Sequence, residues 1–217
     1  MGIAVATLVV GEDYRKAVAL ATQSKIDYCH NQGYDFIFET GFDATRPVPW
    51  SKIPLIKRVL PRYDFVFWSD ADAMVVNPDV RLEQMFGDFL DSDKHMVVTR
   101  DAAGNINLGN FIIRNCDWSF ELLSKIWEQT QFLHHKWWEN AAFIYLFSSE
   151  PKIQKHTAVV PYDRYAFNSY PHYPNGYKEG DFIVHFAGIH NLGELERLIS
   201  KHHRSLSQKP EIAASRA

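Results

Sequence analysis

The sequence predicts an α/β fold, a mostly parallel central sheet flanked by helices. Short apolar runs alternate along the chain with segments of helical spacing, the order expected of layered α/β domains. Those runs are continuous rather than alternately polar and apolar, as strands covered on both faces must be. At 217 residues the chain can also bury a core large enough to fold without disulfide or metal staples.

Ile3–Val10 is rich in β-branched residues, stops at Gly11 and reads as the first strand. Asp13 is placed to cap a helix over 14–32, and Gly33 to end it. Asp35–Glu39 reads as a short strand and 40–49 as a loop with Pro47 and Pro49. Trp50–Leu60 follows as a helix that holds Pro54 in its first turn. Asp64–Trp68, too apolar for a surface element, is the third strand. A helix is expected over 79–90, with strands at Met96–Thr99 and Asn110–Arg114. Asp117 stands as the cap of a helix over 117–133, where Phe120, Leu123, Ile126 and Trp127 recur at helical spacing. A helix over 137–148, strands at Ala158–Val160 and Phe182–Phe186, and a helix over 192–203 complete the order. The stretch 161–181, rich in Tyr, Pro, Asn and Gly, is a loop of functional length. Within it Asp163 and Arg164 form either an ion pair or a plain turn. One domain over 1–205 and a flexible tail over 206–217 are expected.

Composition excludes several classes. With 46% hydrophobic and 23% charged residues the chain is neither disordered nor fibrous. A net charge of −3 without a basic stripe argues against nucleic acid as a partner. Cys29 and Cys116 have no metal-ligand spacing and fit a reducing compartment. The first ten residues lack a basic leader and run into Glu12 and Asp13, so they read as a strand rather than a signal peptide. No run approaches the ~20 apolar residues of a membrane span. A cytoplasmic location follows from these readings. Neither Gly-x-Ser-x-Gly, a phosphate loop nor a dinucleotide fingerprint is present, which counts against hydrolases, nucleoside triphosphatases and dehydrogenases.

The informative segment follows the third strand. In Ser69-Asp70-Ala71-Asp72, residues two apart in extended chain point the same way, so two carboxylates meet at the carboxyl end of the sheet, where α/β folds bind ligands. Their mutual repulsion calls for a counter-ion, and a hard divalent cation is suited to oxygen ligands. Asp91-Ser92-Asp93 has the same spacing but follows a helix in a charged stretch and reads as surface. His185, inside the apolar run Phe182–Phe186, is by itself a hydrogen-bonded core histidine. Beside Asp70 and Asp72 it becomes a third ligand suited to Mn²⁺ more than Mg²⁺. His134/His135 and His202/His203 read as solvated pairs.

Four motifs occur in order: Trp50-Ser-Lys-Ile-Pro-Leu-Ile56, Phe67-Trp-Ser-Asp-Ala-Asp-Ala-Met74, Asn107-Leu-Gly-Asn-Phe-Ile-Ile-Arg-Asn115 and Val184-His-Phe-Ala-Gly188. Together they resemble the galactosyl/xylosyl/mannosyltransferase family of fungal Golgi α-galactosyl- and mannosyltransferases and plant xyloglucan xylosyltransferases, over about residues 3 to 190. The resemblance implies a GT-A fold and a retaining glycosyltransferase that uses a nucleotide-sugar donor, a UDP-sugar favoured, and a glycan or other hydroxyl acceptor. It makes Asp70, Asp72 and His185 ligands of Mn²⁺, with Mg²⁺ the alternative. Thr7, Leu8 and Val9 would border the nucleoside and Asn107 the donor sugar. Lys52 would support the diphosphate or else be a solvated helix lysine.

The acidic–Gln pair of the family is matched here by Glu139 and Asn140. Glu139 is either the sugar-facing carboxylate or a first-turn helix acid near the positive dipole end. His190 stands where plant relatives carry lysine, beside the donor. Trp137, Trp138, Tyr170 and Tyr173 are candidates for an acceptor groove or for core. The missing membrane anchor of the Golgi members points to a bacterial, viral or excised domain. The alternatives are a nucleotidyl- or phosphotransferase, which normally holds two metals, and a silent nucleotide-sugar-binding module.

Overall fold

The computed structural model describes residues 1–90, 92–161, 166–174 and 176–207. Asp91, the Asp163/Arg164 pair with Tyr162 and Tyr165, and the expected tail from 208 onward lie outside the described residues. The first strand, β1 (Ile3–Leu8), is buried at every position. It pairs in parallel with β2 (Asp35–Glu39) on one side and β3 (Phe65–Ser69) on the other. Between β1 and β2 the chain forms α1 (Glu12–Ala17) and α2 (Ala19–Gln32), with a break at Val18. One continuous helix capped by Asp13 is therefore corrected: Gly11 precedes Glu12 and no side chain caps the start. Gly33 ends α2 in the left-handed conformation, φ 75°, as its position suggests.

A turn of 3₁₀ helix at Val48–Ser51 leads into α3 (Lys52–Val59), and Pro54 lies in its first turn, where its missing N–H costs nothing. After β3 come β4 (Ala73–Val75), α4 (Leu82–Leu90), β5 (Met96–Arg100) and β6 (Ile106–Arg114). β6 begins earlier than its apolar core suggests, so Asn107 and Gly109 are strand residues. Then α5 (Asp117–Glu128) follows Cys116, with Asp117 inside its first turn rather than capping it. The chain closes with α6 (Trp138–Ser149), α7 (Pro151–His156), β7 (Thr157–Val160), β8 (Ile183–His185) and α8 (Leu192–Ser207).

The main sheet has six strands in the order β2-β1-β3-β6-β5-β7, and every strand except β6 runs the same way. A separate antiparallel pair, β4 with β8, sets Ala73 opposite His185. Strand periodicity divides the core. Ala4, Ala6, Leu8, Val66 and Trp68 pack with Trp50, Ile56, Leu122 and Phe143 of α3, α5 and α6 and their approach turn. On the opposite face Val5 and Phe67 pack with Tyr28, Phe86, Phe167 and Phe182. A third cluster joins α1, α2 and α8 through Val18, Met74, Phe186 and Leu195. The β3 carboxyl end thus opens between two helical layers. No helix among the described residues is long and apolar enough to cross a membrane.

Candidate active site

Where β3 ends, the chain turns sharply: the Asp70 N–H donates to the Gly109 carbonyl at 2.7 Å, and the Ala73 N–H to the Asp70 carbonyl at 3.0 Å. The turn is held from beneath by Lys25 of α2, fully buried, whose Nζ donates to the carbonyls of Asp70 at 2.8 Å and Ala71 at 3.2 Å. Burial pulls this lysine down to about 8, against the attraction of Asp72 and Asp70. Residues Ala21, Lys25, Tyr28 and Cys29 form one buried stripe of α2, so a lysine on an apolar face was the available signal for it.

Ligand atoms of Asp70, Asp72 and His185 lie within 4.8 Å of one another. His185 Nε2 is 3.2 Å from Asp72 Oδ1 and 3.9 Å from Asp70 Oδ2. Burial raises the Asp72 carboxyl, but His185 and Lys25 outweigh it and hold the group below its ordinary value. Two carboxylates and an imidazole at this spacing fit a hard or borderline divalent cation. The cradle is shaped for it as well, because β6 approaches His185 through a glycine. A Cβ at Gly109 would stand 2.8 Å from His185 Nδ1 and from Asn107 Oδ1, and closer still to His185 Cε1.

Beside the aspartates lies a second charged cluster. Lys52 Nζ is 3.1 Å from Asp70 Oδ1 and 2.8 Å from Glu139 Oε1, and donates to the Leu108 carbonyl at 3.1 Å. Lys52 is 4% exposed and Glu139 3%, so Lys52 is not a solvated helix lysine, and Glu139, in the first turn of α6, is buried against it. Burial alone would lower Lys52, but Asp70 and Glu139 together raise it above its ordinary value. Glu139 shares that one cation with Asp70, and burial lifts its carboxyl despite Lys52. Its Oε2 has no hydrogen-bond partner. Just before it Trp138 is held at φ 41°, a left-handed conformation that costs a non-glycine residue about 1–3 kcal/mol.

These groups line one cleft of about 900 Å³, with Leu8, Asn107, Asn140 and His190 on its walls. Of the three expected nucleoside contacts, Leu8 faces the cleft. Thr7 and Val9 beside it are buried and lie outside the lining. Asn140 reaches the cleft wall with its amide already committed, accepting from the Leu108 N–H at 2.9 Å and donating to the Ile106 carbonyl at 3.1 Å. It thus clamps β6 from the cleft wall. Asn107 Oδ1 accepts from the Gly109 N–H at 2.8 Å and from Asn168 Nδ2 at 3.2 Å. Trp137 and Tyr173 stand exposed on the rim, whereas buried Tyr170 stacks on His185 with ring centroids 5.6 Å apart. Lys25 and Asn168 are the site residues missed by sequence reasoning, and nothing in the pattern around Asn168 marked it.

A parallel sheet with one reversed strand, opening at its carboxyl edge onto paired aspartates and a histidine, defines a GT-A architecture. A glycosyltransferase involved in glycosylation of the major capsid of PBCV-1 superposes with a TM-score of 0.72, over 93% of this chain and 100% of that one, at 16% identity. The galactosyltransferase LgtC, in complex with donor and acceptor sugar analogues, gives 0.54 over 97% and 98% at 14% identity. In sequence the chain matches the galactosyl transferase GMA12/MNN10 family over residues 5–89 and 87–196, and it belongs to that family. An uncharacterized alpha-1,2-galactosyltransferase and an alpha-1,2-galactosyltransferase of Schizosaccharomyces pombe are 27% and 26% identical, each over 86% of this chain. Xyloglucan 6-xylosyltransferase 1 of Arabidopsis thaliana is 30% identical over 52% of it. The chain spans 60% of the length of each yeast relative and 26% of the plant one.

Proposed function

We propose that this chain is a glycosyltransferase that moves a hexose or pentose from a nucleotide-diphosphate sugar, a UDP-sugar by preference, to a hydroxyl of a glycan or glycoconjugate, with retention. The observation that carries the proposal is the joining of the Asp70/Asp72/His185 set to the buried Lys52–Glu139 pair along one cleft wall. Asp70, Asp72 and His185 would hold Mn²⁺, which when bound supplies Lewis-acid neutralisation of a departing diphosphate. Lys25 fixes the turn that presents both carboxylates. Lys52 holds Asp70 in place and lends positive charge on the diphosphate side. The orphaned Oε2 of Glu139 offers negative charge toward a sugar whose anomeric carbon becomes cationic, in a site pre-arranged before the donor arrives. Trp137 and Tyr173 present flat apolar faces for the acceptor's C–H surfaces. The domain over 1–205 carries this chemistry, and two free thiols fit a reducing compartment.

The test is thermal unfolding with UDP, GDP, CDP and dTDP, each with Mn²⁺ and with chelator, followed by turnover of the matching nucleotide sugar. Saturation at 100 times Kd stabilises by about 2.7 kcal/mol. The expected outcome is a Mn²⁺-dependent shift for UDP and turnover that Asp72→Asn abolishes. No shift with any nucleotide would remove the proposal.

A further inference from the structure

Behind His185 lies a chain of amides whose orientation follows from a single backbone group. The Gly109 N–H can only donate, and it points at Asn107 at 2.8 Å, so the Asn107 atom there is the oxygen. The Asn168 atom 3.2 Å from that oxygen must then be its NH₂. That NH₂ also donates to the Tyr170 hydroxyl at 2.9 Å. The opposite end of the Asn168 amide is therefore its oxygen, which accepts from Asn110 Nδ2 at 3.0 Å and lies 2.7 Å from His185 Nδ1. An oxygen at that distance requires the proton on Nδ1. Nε2, on the far side of the ring, faces Asp72 and Asp70.

We propose that Asn168 is a positioning residue that fixes His185 with its proton on Nδ1 and so reserves Nε2 as a metal ligand. A ligating histidine needs its second ring nitrogen anchored in this way, and loss of such an anchor typically weakens metal binding about 10–100-fold. Asn168 is fully buried, and Tyr170 stacks on the same imidazole, so the ring is held both in its plane and against its face. The chain of amides runs on to Asn107, which lines the cleft, so one residue registers the metal ligand against the wall beside it.

This inference rests on the metal reading, and the experiment separates the two. Mn²⁺ affinity is measured by electron paramagnetic resonance for wild type, His185→Ala, Asn168→Leu and Asn168→Asp. Metal-free unfolding curves verify that each variant folds. Wild type binds and His185→Ala does not; a wild type that binds no Mn²⁺ overturns both readings. Asn168→Leu is expected to bind about 10–100-fold more weakly. Asn168→Asp, which still accepts from Nδ1–H, retains wild-type tightness. Equal binding by wild type and Asn168→Leu overturns the inference and leaves the metal site standing. An Asn168→Asp variant as weak as Asn168→Leu overturns it too, because the oxygen facing Nδ1 would then not be what sets the affinity. Independently of any variant, long-range ¹H–¹⁵N NMR of the Mg²⁺-loaded wild type reads the tautomer. A proton on Nδ1 of His185 supports the inference, and one on Nε2 overturns it.

Discussion

Gly109→Ala tests the geometry of the cleft with a single methyl group. The new Cβ would stand 2.8 Å from both Asn107 Oδ1 and His185 Nδ1, with His185 Cε1 nearer still. Non-bonded carbon atoms rest about 3.5–4.0 Å apart, so the imidazole or the strand must give way by a large part of an ångström. Neither can do so cheaply. His185 is 2% exposed and pinned by Asn168, while the Gly109 carbonyl accepts from the Asp70 N–H at 2.7 Å. Overpacking of this kind costs about 1–3 kcal/mol, which for a domain of this size lowers Tm by about 2–12 °C. If His185 moves instead, the metal site pays and Mn²⁺ affinity falls about 10–100-fold. The assay is a metal-free melt followed by a Mn²⁺ titration. Gly87→Ala in α4 is the control, since a Cβ there meets nothing within 4 Å and alanine favours the helix. It should be neutral or slightly stabilising. A Gly109→Ala protein that melts with wild type and binds Mn²⁺ equally would refute the placement of His185 against β6.

Lys52→Met strips the cation from buried Glu139, which should cost about 3–5 kcal/mol in urea unfolding. Adding Glu139→Gln should recover much of that loss, and a single variant within about 1 kcal/mol of wild type would show that the pair is solvated. His95 gives a pH test far from the cleft. Burial first, then His156 and Arg114, hold its imidazole below the ordinary value. The unfolded chain therefore takes up this proton first, and stability should be present above about pH 6.5 and decline as pH falls through that value. His95→Phe should shrink the difference between unfolding at pH 7.5 and pH 5.5, and an undiminished difference would assign it to other histidines.

Residues whose role is local were legible in the sequence, and residues whose role depends on another strand were not. The continuous apolar runs marked β1 and β3, and the spacing of Asp70 and Asp72 followed from two-residue periodicity at a strand end. β4 escaped notice because three residues carry no period, although it is the strand that brings His185 opposite Ala73. Pro151 at the start of α7 is a local signal, since proline favours the first helical turn. Thr7, Leu8 and Val9 share the end of the first strand, and of the three side chains that of Leu8 lines the cleft. That the Asn140 amide also bonds the backbone of β6 is not legible, because no local pattern says that β6 lies within its reach. Asn168 has meaning only through four partners, two of them some sixty positions away in the chain.

The reversed strand explains why these distant parts converge. A parallel neighbour to β3 would bring its own carboxyl end to the cleft, and the mouth would be lined by loops. Because β6 runs antiparallel, its closing half pairs with β3, with Ser69 opposite Asn110, and its opening half, Ile106 to Gly109, runs on past the end of β3 into the cleft wall. Strand backbone is stiffer than loop and can be clamped from both sides. Asn140 of α6 holds Ile106 and Leu108, and Lys52 of α3 reaches the Leu108 carbonyl. The site is thus built on a paired strand, with the glycine at 109 admitting the histidine of a second sheet. Such a cleft can hold two carboxylates and a buried Lys–Glu pair in fixed relation before any ligand binds, which is the condition for electrostatic stabilisation without reorganisation at the moment of reaction.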